Sequence, residues 1–162
     1  MTRMMHAAEA DLARLYEHGY PRFVRVATAI LGDPERARDA VHDTFVRAVS
    51  GLASFRGESS LETWVWRILT NACLTEKRSE LGPLADPDRA ERAEPAADEW
   101  PEVRLAVAGL PERQRTVLFL RYFADLDYEQ IAATLGIERG TVAATLHAAH
   151  TKLREVLLEV QR

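Results

Sequence analysis

Apolar positions recur with the roughly 3.6-residue spacing of a buried helix face along most of the chain, and no strand-like alternation persists anywhere. Leu12, Leu15, Tyr16, Phe23, Val26, Ala27, Ile30 and Leu31 share one stripe, with a break or restart expected at Gly19-Tyr20-Pro21. Gly32 ends that helix. Asp33-Pro34 then supplies an N-cap and a first-turn proline for a helix turning Ala37, Val41, Phe45 and Ala48 inward, with a stop near Gly51. After the loop ASFRGES, Ser59 and Glu62 have capping-box spacing. The helix they open is expected to bury Leu61, Trp64, Val65, Ile68, Leu69 and Ala72.

A second helical set begins near Pro101, with a short helix through Val103 and Val107 ended by Gly109. Pro111 opens the next helix, whose VLFLRYF is apolar on nearly every side and should sit centrally in a core. Asp127 and Gln130 form a capping box, Ile131, Ala132 and Leu135 a stripe, and Gly136 a break. Val142, Leu146, Ala149 and Leu153 then mark a long last helix, to about Val160. Two striped helices around a glycine turn have the shape of a helix-turn-helix, the unit that places a recognition helix in the DNA major groove. Its outward positions, Ala143, Ala144, Thr145, His147, Ala148 and His150, carry almost no positive charge.

Residues 79–100 lack an apolar period and are rich in Pro, Ala and acid, which reads as a linker. Extended at about 3.4 Å per residue, such a tether would span roughly 70 Å and let two modules reach separate sites. The formal charge of −4 divides unevenly: +1 over 1–78, −5 over 79–100 and 0 over 101–162. Any DNA affinity must therefore come from local patches. No apolar run nears the roughly 18 residues that span a bilayer, and MTRMMHAAEADL has no apolar signal region, so a cytoplasmic protein without membrane insertion is expected. A single cysteine, Cys73, excludes an internal disulfide and reads as a small packed side chain rather than a redox centre.

The expected fold class is thus all-α, with two small helical domains over 8–78 and 101–160 joined by a flexible acidic linker. At this level the chain resembles the extracytoplasmic-function (ECF) sigma factors of the sigma-70 family, bacterial initiation factors for RNA polymerase. ILGDPERARDAVHDTFVRA resembles the family's polymerase-binding helix, and FRGESSLETWVWRILTNAC its promoter-melting segment. LPERQRTVLFLRYFADLDYEQIAATLGIERGTV resembles its upstream-element-binding domain. The resemblance implies a sigma domain 2-like bundle followed by a sigma domain 4-like helix-turn-helix. It implies core RNA polymerase and promoter DNA as partners, with an anti-sigma factor as a further one. It requires no cofactor, metal or small-molecule substrate.

Carried over residue by residue, polymerase binding falls on Arg38, Asp39, His42, Asp43 and Arg47, with His42 where the family usually has Gln. The minus-ten and melting contacts fall on Phe55, Arg56, Ser59, Thr63, Trp66, Arg67, Thr70, Asn71, Lys77 and Arg78. Thr63, Trp66, Arg67, Thr70 and Asn71 are expected on the helix face away from Trp64, Ile68 and Ala72. There Trp66 is either a platform for an unstacked base or a packing residue between helices. Arg67, Lys77 and Arg78 are the expected phosphate contacts. The acidic linker either suits a basic polymerase channel or merely solubilises.

In the helix-turn-helix, the candidate DNA contacts are Arg139, Thr141, Ala143, Ala144, Thr145, His147 and Lys152. The family usually follows Gly-Thr-Val with basic residues; here Ala, Ala and Thr follow Gly140-Thr141-Val142. Thr and Ala suit thymine methyl groups, so a thymine-rich readout is open. His147 and His150 lack a third ligand, and Asp125 and Asp127 read as turn and cap residues, so neither metal binding nor an enzyme is expected. Two other readings remain. One is a sigma-like interaction protein with little DNA reading of its own; the other is a helix-turn-helix repressor, which leaves the first module unexplained.

Overall fold

The computed structural model describes residues 2–81 and 101–160, and among them every regular element is helical. The elements are α1 (Thr2–Leu31), α2 (Pro34–Gly51), a 3-10 turn at Leu52–Ser54, α3 (Leu61–Leu81), α4 (Pro101–Ala108), α5 (Glu112–Tyr122), α6 (Tyr128–Leu135) and α7 (Arg139–Val160). The linker expected at 79–100 lies, beyond the end of α3, outside the described residues.

Helices α1, α2 and α3 form a three-helix unit around Phe23, Val26, Ile30, Val41, Val65, Trp66 and Leu69. Pro21 does not break α1, which runs through it. A proline inside a helix forfeits one backbone hydrogen bond, but Leu12 and then Phe23, Val26, Ala27 and Ile30 stay buried on either side of it. Continuous burial outweighs the local defect. Gly19 has a specific part here, because a Cβ on it would lie 2.9 Å from the Phe23 ring. Asp33 caps α2 as expected, its carboxylate accepting from the backbone N–H of Glu35 and Arg36. The start of α3 differs by one residue: Ser60, not Ser59, accepts from the backbone N–H of Thr63.

That shift accompanies a different helical phase. Thr63, Trp66 and Thr70, expected outward, are at most 2% exposed, whereas Trp64, Ile68 and Ala72 are only half-buried. Trp66 stacks on Phe23 of α1 with ring centroids 4.1 Å apart. Cys73 continues the same inner stripe, and burial pushes its thiol up to about 12, with Glu76 adding to the effect. It stays a neutral packed group.

The second unit, α4 to α7, centres on Leu110, Val117, Leu120, Ile131, Val142, Leu146 and Ala149. Arg115 is buried and donates to the carbonyl of Ala108; burial holds its pKa below the ordinary value, opposed by the nearby Glu112 carboxylate. Of VLFLRYF, Val117 to Leu120 lie inward, but Tyr122 and Phe123 reach the surface at 59% and 38% exposure. The Asp127 carboxylate accepts from the Gln130 N–H at 2.8 Å, and the Gln130 side chain accepts from the Asp127 N–H at 2.8 Å.

Gly136 ends α6 in the left-handed region at φ 65, with open space where a Cβ would stand. Gly136→Ala should therefore destabilise by about 1–2 kcal/mol through backbone conformation alone. Gly140→Ala, at an equally open but ordinary helical position of α7, should be neutral or slightly stabilising. Paired denaturant titrations check this; equal effects at the two glycines would refute it.

The two units are not separate bodies on a string. Helix α3 packs on α6, and α1 on α5. At this seam the Arg22 guanidinium of α1 donates to the carbonyls of Phe123 (3.3 Å) and Ala124 and pairs with Glu62 at 2.8 Å. The Arg25 guanidinium lies 4.9 Å from the centre of the Phe123 ring.

Candidate nucleic-acid interface

The loop between α2 and α3 is built by local chemistry. Phe55 closes the 3-10 turn through its backbone N–H on the Leu52 carbonyl, and Gly57 turns the chain at φ 71. The loop and the first turns of α3 enclose an open cavity of about 140 Å³ lined by Ser54, Phe55, Arg56, Glu58, Ser59, Trp64 and Arg67. The Phe55 and Trp64 rings stand 5.1 Å apart at 41°, and Trp64 also rests against Gly51 at the end of α2. Two half-buried aromatic rings with two guanidinium groups alongside offer a stacking surface and anion contacts together.

Trp64, rather than Trp66, is thus the α3 tryptophan that lines this cavity. The other melting candidates divide. Phe55, Arg56, Ser59 and Arg67 line the cavity, while Asn71 and Arg78 are exposed on the continuing helix. Thr63, Trp66, Thr70 and Lys77 are buried, which corrects the expectation that they face solvent. Thr70 donates its hydroxyl to the Trp66 carbonyl, and the Thr63 hydroxyl shares a hydrogen bond with that of Ser60. The Lys77 ammonium donates to the Ile30 carbonyl at 2.8 Å, closing the end of α1, with Glu112 at 3.8 Å. Trp64 was read from sequence as an inner-face residue. The signal available for Trp64 was the heptad-like stripe Trp66, Leu69, Cys73, which assigns the inner face to Trp66.

On α2, Arg38, Asp39, His42, Asp43 and Arg47 are all exposed, as are the apolar Val46 and Val49 at 53% and 60%. Asp43 and Arg47 also line a shallow groove of about 500 Å³ between α2 and α3, facing Asn71 and Glu76. One face of the first unit thus joins the charged face of α2 to the side of α3.

On α7, Arg139, Ala143, Ala144, His147 and Lys152 are exposed, and Thr141 and Thr145 are half-buried. Thr145 donates its hydroxyl to the Thr141 carbonyl. His150 makes a 3.0 Å hydrogen bond with the Tyr122 hydroxyl. Arg139 and Lys152 are the cations among these candidates, roughly 20 Å apart along a helix rising about 1.5 Å per residue. Among the described residues no three His, Cys, Asp or Glu side chains gather as a metal site, and no helix is long and apolar enough to cross a membrane.

A three-helix unit followed by a helix-turn-helix defines a DNA-binding class of protein. Comparison with known proteins gives the family. Residues 15–81 match sigma-70 region 2, and residues 101–153 match sigma-70 region 4. The chain is 33% identical over 133 residues to RNA polymerase sigma factor YlaC of Bacillus subtilis, covering 75% of this chain and 77% of that one. It is 30% identical over 144 residues to ECF RNA polymerase sigma factor EcfG of Rhodopseudomonas palustris, covering 85% and 80%. Among solved structures, the sigma factor RpoE in complex with the anti-sigma factor NepR from Bartonella quintana shares the fold, with a TM-score of 0.73 at 24% identity over 94% of this chain and 99% of that one. CnrH in complex with the cytosolic domain of CnrY does so at a TM-score of 0.71 and 21% identity, over 98% and 96%. The chain belongs to the extracytoplasmic-function sigma factors of the sigma-70 family. It is an alternative sigma factor, a transcription regulator that binds core RNA polymerase and directs transcription initiation.

Proposed function

We propose that this sigma factor divides its work between three surfaces. The exposed face of α2, with Arg38, Asp39, His42, Asp43 and Arg47 around Val46 and Val49, docks on core polymerase. The Phe55–Trp64 cavity holds a base extruded from the minus-ten region, with Arg56 and Arg67 on the adjoining phosphates and Asn71 and Arg78 further along the strand. Helix α7 lies in the major groove of the upstream element. There Ala143, Ala144 and Thr145 meet thymine methyls, and Arg139, Thr141, His147 and Lys152 supply the polar contacts. Polymerase performs the bond-forming chemistry, the protein works in the cytoplasm, and an anti-sigma factor is its regulatory partner.

The observation that carries this reading is the ring pair of Phe55 and Trp64 beside two arginines. An extruded base needs a stacking partner to offset its lost pairing. Run-off transcription with core polymerase and genomic promoter fragments tests the reading. Promoter-dependent transcripts are expected. Core binding without them would favour an interaction protein with little DNA reading, to which the nearly uncharged face of α7 lends some support.

The same face gives a second test. Ala143→Lys combined with Thr145→Arg should strengthen upstream-element binding by the holoenzyme. Each new phosphate contact should steepen the log-log salt dependence by about 0.9. Footprints and salt slopes identical to wild type would remove α7 from the DNA.

A further inference from the structure

His147 and His150 stand on one stretch of α7, and both are exposed. Side chains at i and i+3 are neighbours on a helix surface, with Cβ atoms about 5–6 Å apart. Pairs so spaced ligate a common ion in the metal sites of helical bundles. A third donor, absent from the adjoining sequence, comes from α5, which packs on α7. The Tyr122 hydroxyl lies 3.0 Å from His150 Nε2, and the two rings stand 5.8 Å apart at 58°. Tyr122 is 59% exposed, so this edge of the pair is open to solvent. The Arg121 guanidinium lies 5.9 Å from the Tyr122 ring centre and is itself anchored, on the Leu126 carbonyl at 3.4 Å and the Asp125 carboxylate at 3.8 Å.

We propose that Tyr122, His147 and His150 form a binding site for one divalent transition-metal ion of the zinc class. The hydrogen bond between Tyr122 and His150 is two lone pairs sharing one proton. A metal takes that proton's place, and binding releases it to solvent. With metal–ligand bonds of about 2.0–2.2 Å, adjacent corners of a tetrahedron lie about 3.3–3.5 Å apart. The pair therefore has to open by only about 0.3–0.5 Å to accept the ion. Two imidazoles and one oxygen suit zinc, copper or nickel, whereas magnesium and calcium take oxygen donors. Three protein ligands leave the fourth tetrahedral position for water or a phosphate oxygen. Both histidines lie between Arg139 and Lys152, on a helix face nearly bare of cations. A bound ion adds two positive charges there, and its open position meets a phosphate as a lysine or arginine does. This consequence rests on the reading of α7 as the DNA helix; the metal site itself does not.

Zinc binding by the full chain, measured with the ion alone in competition with a chromophoric chelator, tests the site. One equivalent per chain should bind. His147→Ala, His150→Ala and Tyr122→Phe should each weaken binding at least about tenfold, the loss that even a supporting partner of a metal ligand produces. His18→Ala, on exposed α1 surface, should bind as wild type does. Undiminished binding by any of the three site variants, or an equal loss in His18→Ala, marks an adventitious surface ion and overturns the proposal. Nuclear magnetic resonance of the wild-type chain gives the same answer without substitution. Zinc should shift the side-chain resonances of Tyr122, His147 and His150 together, and shifts confined to other histidines refute the site. A DNA measurement separates the site from the reading of α7. Added zinc should tighten upstream-element binding by the wild-type holoenzyme several-fold and leave the His150→Ala holoenzyme unchanged. Zinc held by these three residues with no effect on DNA affinity upholds the site and removes α7 from the groove.

Discussion

Trp66→Ala is expected to destabilise the protein by about 3–5 kcal/mol, the range for truncating a fully buried aromatic side chain. For a chain of this size that corresponds to a melting temperature roughly 10 °C lower. The ring is fully buried, lies 4.1 Å from the Phe23 ring at a tilt of 31°, and donates from Nε1 to Glu62 at 3.4 Å. Phe23 in turn meets Phe45 of α2 edge-on at 5.3 Å, so one indole ties all three helices of the first unit together. Its loss opens a cavity at that junction and removes a hydrogen bond from the carboxylate that holds Arg22. Trp66→Phe, which keeps a ring on Phe23, should recover more than half of the loss. Trp64→Ala, two residues away but half-exposed, should destabilise much less. Thermal unfolding followed by circular dichroism checks the order. If Trp66→Ala instead left stability intact and abolished promoter opening, the inward placement of this residue would be wrong.

The contrast between these two tryptophans marks where the sequence was legible. Most elements bounded by polar punctuation stand where it put them, the start of α3 at Ser60 rather than Ser59 excepted. Asp33-Pro34 starts α2, the Asp127–Gln130 capping box starts α6, and Gly136 ends it, because each satisfies a local backbone demand. Helix α3 lacks that clarity. Leu61, Trp64, Val65, Trp66, Ile68, Leu69, Ala72, Cys73 and Leu74 surround it with apolar side chains, so periodicity gives a helix without fixing its phase. Contacts with α1 and α6 select the phase, and these are tertiary. Pro21 misled for a similar reason, since long-range burial overrode a local signal. The seam was the least legible feature. Its acceptors at Phe123, Ala124 and Ala133 are backbone carbonyls, which every residue possesses and no sequence pattern announces. The exposed alanines of α7 were legible as positions, because the stripe Val142, Leu146, Ala149 fixes the inner face of that helix.

The second large effect belongs to the cavity. Trp64→Ala should lower the fraction of promoter opened by the reconstituted holoenzyme by about 5- to 150-fold, the equivalent of the roughly 1–3 kcal/mol per stacked base. Phe55→Ala should act in the same direction, and the double variant should fall short of the summed effect because the two rings form one surface. Trp64→Phe, which preserves an aromatic face, should restore much of the activity. The effect is confined to opening because the α2 face proposed to dock on polymerase is separate from the loop, and Trp64 meets α2 at Gly51, the helix end. Core-polymerase affinity should therefore stay within about twofold, in line with the additivity of distant sites. Permanganate reactivity of unpaired thymines reads opening directly, and a pull-down with core polymerase reads docking. A Trp64→Ala protein that opens promoters normally would remove the ring pair from the mechanism. One that loses core binding in proportion to opening would reassign Trp64 to the support of α2. Selective loss of opening, rescued by phenylalanine, is what stacking requires and what a merely structural role does not produce.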